Sequence, residues 1–194
     1  MRIILASGSQ TRRGIMDSLK IKYNVTKSGV DETCDISDPV LYVEELSRRK
    51  ALDVSKKVGK GDYIILAADT IIFKDGKKYE KPKSVKQAFE NLKELSGGTN
   101  IAVTGVTLID NRLDNVVTFS ESTKVTFNNI TDDDLKFYID HHPDILNNAG
   151  YTLEGIMSLF LAKLDGDYYN VLGLPLGKIY ATLNKMGYSL KDLD

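Results

Sequence analysis

A mixed α/β fold is predicted by three features of this 194-residue chain. Apolar runs of strand length alternate with amphipathic stretches, and the apolar positions of those stretches recur every three or four residues. Turn signals such as Asp75-Gly76 and Asp165-Gly166 sit between them. At the amino end, Ile3 to Ala6 reads as a short buried strand, Ser7-Gly8-Ser9 as a tight loop, and Thr11 to Leu19 as a helix with Ile15, Met16 and Leu19 facing inward. A strand, a small-residue loop and a helix start can trap an anion: loop amides, the positive end of the helix dipole, Arg12 and Arg13 would converge on a phosphate. The alternative is a cap, with Ser9 or Thr11 closing the helix and both arginines in water. No Walker A string is present.

Val30-Asp31-Glu32 is expected to end a second strand, where its carboxylates are either solvated or ligands for a hard cation. From Pro39 to Lys57 the sequence predicts a helix, because Val43, Leu46, Lys50 and Val54 share one stripe. Lys50 lies mid-stripe, so its ammonium must either snorkel to water or meet an anion. The run Ile64 to Phe73 reads as a central strand interrupted by Asp69. A carboxylate among so many apolar neighbours is costly unless a cation, a metal or a reacting group answers it. A strand-end cap is the other reading.

Asp75-Gly76 predicts a hairpin that returns Glu80, Lys81 and Pro82 toward Asp69. Ser84 to Gln87 has capping-box spacing and opens a helix burying Val85, Ala88, Leu92 and Leu95 before Gly97-Gly98. Ile101 to Ile109 and Asn115 to Phe127 are expected as antiparallel strands about Asp110-Asn111. Asp132-Asp133-Asp134 reads as the solvated first turn of a helix. Met157 to Leu164 and Tyr168 to Leu172 are expected to pair as a hairpin, and Pro175 to Met186 to form a last helix. Tyr168 and Tyr169 either stack on a base or complete a core.

Composition bounds the function. With 42% hydrophobic residues the chain can build one sizeable core, or two lobes around a cleft, and a single domain over residues 1–194 is expected. Lysine and arginine (26) nearly balance aspartate and glutamate (27), so no global field holds a nucleic-acid backbone. The single cysteine, Cys34, excludes an internal disulfide and a multi-cysteine zinc site. Adjacent His141 and His142 suit neither a metal pair on one helix face nor a Ser-His-Asp triad. Without a leader-like apolar core or a membrane-length apolar stretch, a cytoplasmic protein with no membrane partner is expected.

Five ordered strings carry a resemblance. These are Leu5-Ala6-Ser7-Gly8-Ser9 with Arg12-Arg13; Ala68-Asp69-Thr70; Glu80-Lys81-Pro82; Leu95-Ser96-Gly97 with Thr104-Gly105-Val106; and Gly166 through Pro175. Together they resemble the Maf family of nucleoside triphosphate pyrophosphatases along nearly the whole chain. The resemblance implies an elongated mixed sheet flanked by helices, two lobes around a deep cleft, and kinship with inosine triphosphate pyrophosphatase. It also implies a homodimer and a divalent cation, Mg²⁺ or Mn²⁺ with Co²⁺ as an alternative. The implied reaction cleaves a nucleoside triphosphate between its α and β phosphates. Ser7, Arg13, Glu32, Lys50, Asp69 and Lys81 match the polar cluster tied to catalysis and to phosphate or metal binding. Ser9 belongs to the loop, Glu32 and Asp69 are the implied metal ligands, and Asp69 is either ligand or base.

Arg12, Thr70 and Glu154 fall at positions diagnostic of substrate branch. Arg12 and Thr70 resemble the branch acting on thymidine and uridine triphosphates rather than on 7-methylguanosine triphosphate. Glu154 departs from that branch's glutamine: a carboxylate only accepts hydrogen bonds, whereas an amide also donates. Asn147-Asn148 likewise departs from the family's Asp-Lys. A nucleotide-sensing regulator of septum formation with little turnover is the competing reading, and release of pyrophosphate discriminates the two.

Overall fold

The computed structural model describes residues 1–147 and 150–193. They form two compact units: Met1–Asp69, Thr104–Glu121 and Gly173–Asp194 make the first, and Thr70–Val103 and Ser122–Leu172 the second. In the first unit β1 (Arg2–Leu5) runs parallel to both β2 (Tyr23–Val25) and β3 (Tyr63–Lys74), with Leu5 opposite Val25 on one side and Leu66 on the other. Ile3, Ile4, Leu5, Ile64, Ile65 and Leu66 are all buried, as the unbroken apolar runs of a parallel sheet require. The ladder continues past β1: the Ala6 amide donates to the Leu66 carbonyl at 2.8 Å, and the Thr26 amide to the Leu5 carbonyl at 3.1 Å.

The helix α1 (Gln10–Ser18) begins at Ser9, whose hydroxyl accepts from the Arg12 amide at 3.4 Å. Ile15 and Met16 are buried as expected, but Leu19 sits beyond the helix and is exposed. The strand end expected at Val30-Asp31-Glu32 is absent. Asp31 instead accepts from the amide and hydroxyl of Thr33 at 2.9 and 2.7 Å, a local turn that competes with a strand ladder.

Asp38 caps α2 (Pro39–Val58) by accepting from the Leu41 amide at 2.9 Å, and Gly59 ends it at φ 69°. Its stripe is buried as the periodicity predicts: Val43, Leu46, Lys50, Ala51 and Val54. Ala51 and Val54 pack with Ile4, Ala6, Ile65, Ala67 and Ile109, so α2 lies against β1 and β3. Small residues set the approach, and Gly105 is the extreme case: a Cβ there would overlap the backbone of Val43 and Glu44.

The strands β5 (Thr99–Asp110) and β6 (Asn115–Phe127) are neighbours. The sheet order is β2-β1-β3-β5-β6-β7, where β7 is Leu161–Asp165 and β4, Lys77–Tyr79, pairs with β3. In the second unit Asp75 and Gly76 both take positive φ, 50° and 80°, and β4 runs antiparallel to the end of β3 as the hairpin signal requires. Ser84 opens α3 (Val85–Leu95) by accepting from the Gln87 amide at 3.1 Å. The Gln87 side chain accepts from Lys83 at 2.7 Å, one residue before the expected capping-box partner. Ala88, Leu92 and Leu95 are buried, whereas Val85 at the helix start is exposed. Thr131 caps α4 (Asp132–Asp140), leaving the acidic triplet exposed at the positive helix end.

The hairpin expected of Met157 to Leu164 with Tyr168 to Leu172 does not form. A 3-10 turn spans Gly155–Phe160, β7 pairs antiparallel with β6, and Tyr168–Val171 becomes a short helix, α5. Asp167 accepts from the amides of Tyr169 and Asn170 at 2.8 and 3.3 Å, and the buried Asn170 amide donates to the Ala102 carbonyl and the Thr123 hydroxyl. Those bonds outweigh the strand preference of tyrosine and valine. Back in the first unit, α6 (Leu176–Lys185) buries Ile179 and Leu183. Among the described residues no helix is long and apolar enough to cross a membrane.

Gly105→Ala must displace α2 and is expected to destabilise by about 2–3 kcal/mol. Gly14→Ala, in exposed α1 with nothing within 4 Å of the added methyl, should stabilise by about 0.5–1 kcal/mol. Urea midpoints read both, and equal effects would refute the close contact.

Candidate active site

Parallel strands end together, and whatever follows their carboxyl ends is gathered along one edge. Ser7-Gly8-Ser9 follows β1, while Asp69 stands three residues beyond Leu66, the β3 partner of Leu5. Asp69 is 8% exposed and Lys50 9%. The Lys50 ammonium donates to Asp69 Oδ1 at 2.6 Å and reaches Glu32 Oε1 at 3.1 Å. The two carboxylates differ in setting. Asp69 is enclosed, whereas the Glu32 side chain keeps 53% of its surface in water. Each question left by the sequence therefore has a structural answer: the mid-stripe lysine meets an anion, and the mid-strand aspartate meets that cation.

A second cation lies within electrostatic reach of both carboxylates. The Arg12 Nε donates to the Gly173 carbonyl at 2.9 Å and Nη1 to the Ser7 hydroxyl at 3.4 Å, and Ser7 also accepts from the Ser9 amide at 3.2 Å. Burial pulls the Arg12 guanidinium below its ordinary pKa, while the charges of Asp69 and Glu32 push it back up. Arg13 Nη2 donates to the Gly8 carbonyl of the same loop at 3.3 Å, and its buried Nε has no hydrogen-bond partner among the described residues. A loop that presents amides, a hydroxyl and a guanidinium at a helix start is chemically suited to oxyanions.

Ser7, Ser9, Arg12, Arg13, Glu32, Lys50 and Asp69 thus all lie in the first unit. Thr70, Lys81 and Glu154 belong to the second. Thr70 is partly buried in β3, Lys81 is exposed two residues past β4, and Glu154 is exposed just ahead of the 3-10 turn. Glu154 carries its charge beside Tyr168, whose phenol is raised by burial first and by that carboxylate second. Tyr168 and Tyr169 are edge-to-face at 5.6 Å. The Gly173 carbonyl was not legible as an anchor for Arg12; its only signal was the Gly173-Leu174-Pro175 string. His141 and His142 each spend Nδ1 on a carbonyl of their own helix, Phe137 and Tyr138, at 2.8 Å. Asn148 lies outside the described residues.

Glu32 and Asp69 supply the hard carboxylate oxygens that a divalent cation of the Mg²⁺ type accepts, and both already point at one positive charge. Among the described residues no group of three histidine, cysteine or acidic side chains could hold a metal alone. That pattern suits a cation that completes its shell with phosphate oxygens and water.

The family described as Maf-like protein matches residues 2–186. The chain is 39% identical over 183 residues to the dTTP/UTP pyrophosphatase of Thermosipho africanus (strain TCF52B), covering 94% of this chain and 92% of that protein. It is 39% identical over 185 residues to the dTTP/UTP pyrophosphatase of Clostridium perfringens (strain SM101 / Type A), covering 94% and 96%. Among solved structures it is similar to the Staphylococcus aureus Ham1 protein, at 16% identity and a TM-score of 0.48 over 66% of this chain and 72% of that one.

Removing one partner of a buried pair strands the other, so Lys50→Met is expected to cost about 3 kcal/mol. Lys50→Met combined with Asp69→Asn should cost less than the sum of the single changes, with a coupling of about 1–3 kcal/mol by chemical denaturation. Additivity within about 0.5 kcal/mol would show that the pair contributes nothing as a pair.

Proposed function

The chain belongs to the Maf family, and from that premise we propose that it is a nucleoside triphosphate pyrophosphatase acting on pyrimidine nucleotides, dTTP and UTP, and releasing the monophosphate and pyrophosphate. One observation carries the chemistry: Lys50 joined to Asp69 and Glu32, whose charges also act on Arg12, itself held to Ser7 of the Ser7-Gly8-Ser9 loop. A triphosphate brings about four negative charges, and a site without strong cations could neither bind it nor stabilise the charge growing on departing pyrophosphate.

Arg13 and the loop amides fix phosphate oxygens, because a guanidinium offers paired donors in a rigid plane. Lys50, on a flexible stem, can follow an oxygen whose charge grows as the α–β bond breaks. Ser7 and Gly173 hold Arg12 in place, so its charge acts without reorganising. Glu32 and Asp69 would hold Mg²⁺ or Mn²⁺, which supplies neutralising charge at the phosphates and acidifies a bound water. Asp69 either orients the attacking water and accepts its proton or serves as a ligand of that cation. Lys81 is assigned to phosphate binding, and Thr70 and Glu154 to nucleotide selection, on the family resemblance alone. The near-balanced charge supports a small-molecule substrate over nucleic acid. A cytoplasmic homodimer is the assembly that the resemblance supports.

Purified protein with Mg²⁺, Mn²⁺ or Co²⁺ should release pyrophosphate from UTP and dTTP, and chelation should abolish this. Asp69→Asn should lower kcat by roughly 10²–10⁴-fold in a folded protein. A near-normal rate would remove Asp69 from the chemistry, and absence of pyrophosphate with every metal would overturn the enzyme reading.

Glu154→Gln restores a side chain that both donates and accepts, and is expected to shift the ranking of kcat/KM toward UTP and dTTP across a nucleotide panel. An unchanged ranking would take Glu154 out of base selection.

A further inference from the structure

Lys27 carries no motif, and neither periodicity nor the family strings single it out. The register of the parallel strands gives it a place. Leu5 pairs with Val25, and the Thr26 amide still donates to the Leu5 carbonyl, so the residues that follow, Lys27 on one strand and Ser7-Gly8 on the other, leave the sheet side by side. The side chain confirms the adjacency. A methyl built on Gly8 would come within 3.3 Å of Lys27 Cε, 3.5 Å of Cδ and 3.8 Å of Cγ. The lysine stem therefore lies across the bare Cα of Gly8, along the loop that opens α1.

The charge balance at this edge makes the placement consequential. Lys50 and Arg12 face Asp69 and Glu32, two cations against two carboxylates. Lys27 is exposed, and among the described residues its ammonium forms no ion pair. Its backbone carbonyl is meanwhile pinned by the Lys57 ammonium at 3.2 Å, and Lys57 pairs with Asp53 at 2.7 Å. The main chain at Lys27 is thus tied to α2 while the side chain stays available. Arg13 likewise forms no ion pair among the described residues, so both supply positive charge at the loop.

We propose that Lys27 is a further substrate-binding residue, its ammonium contacting phosphate oxygens of the triphosphate tail held at the Ser7-Gly8-Ser9 loop. This rests on the pyrophosphatase reading and adds to it a cation from the end of β2. Gly8 has a matching role: any side chain there would press on the Lys27 stem and move its charge. A monophosphate, with less charge and shorter reach, depends on Lys27 less than a triphosphate does.

The test compares wild-type protein with Lys27→Gln, Lys27→Glu and Lys27→Arg, using UTP turnover and, separately, calorimetric binding of inorganic tripolyphosphate. Lys27→Gln is expected to raise KM for UTP roughly 3–10-fold, more than it lowers kcat, and Lys27→Glu to raise it further. Lys27→Arg should stay near wild type, and the differences should shrink with added salt. Tripolyphosphate affinity should fall in the same order, with unchanged thermal midpoints showing that folding is intact. KM and tripolyphosphate affinity both within twofold of wild type in Lys27→Glu would overturn the proposal, as would a wild-type protein that turns over UTP but does not bind tripolyphosphate. If the wild type releases no pyrophosphate yet binds tripolyphosphate in a Lys27-dependent way, the pyrophosphatase reading fails while this contact stands.

Discussion

The structure turns on one buried cation shared by two carboxylates. Lys50 could not lie on the inner stripe of α2, nor Asp69 within β3, unless each answered the other, because either charge alone would lose far more hydration than packing returns. That pairing constrains the rest. The helix must approach the sheet closely enough for the ammonium to reach the strand, so Ala6, Ala51 and Ala67 are small and Gly105 lacks a side chain beneath the backbone of α2. Close packing and placement of charge are here the same requirement. The resulting pair is well hydrogen-bonded yet not saturated, since Glu32 reaches it from the water side.

Arg12 extends the arrangement from a pair to a site. Its guanidinium ties the loop after β1 to the carbonyl of Gly173, a few residues ahead of α6, and fixes Ser7 through the same group. A single side chain thereby sets the position of a phosphate-suited loop relative to two carboxylates. Preorganised charge of this kind is what phosphoryl chemistry draws on, since the protein has little covalent work to do.

Much of this was legible in the sequence because it left a periodic or turn-like trace. Lys50 stood out as a polar residue on a helical stripe, Asp69 as an interruption of an apolar run, and the β3–β4 hairpin announced itself through Asp75-Gly76. What left no trace was decided by contacts between distant or irregular segments. Glu32 was placed at a strand end, but an Asx turn at Asp31 took the local backbone out of any ladder, and only the folded chain shows it reaching Lys50. The stretch from Tyr168 reads as strand by residue type. Asp167 captures two amides there and Asn170 anchors the turn to β5 and β6 residues, so tertiary bonds override the propensity. Leu19 and Val85 fit their stripes by spacing and fail because each sits at a helix end, where the chain no longer holds the helical face.

The alternation of the two units along the chain has a consequence for how the protein could be cut or built. The backbone leaves the first unit after Asp69, returns at Thr104, leaves again after Glu121 and returns at Gly173, so Asp69 and Thr70, adjacent on one strand, belong to different units. No truncation at a single bond yields either unit whole. A nascent chain has its buried lysine and aspartate early, but the Gly173 carbonyl that steadies Arg12 emerges only after both segments of the second unit. Until then the phosphate-suited loop lacks its anchor, so the charged edge of the first unit waits on a residue made after the whole of the second.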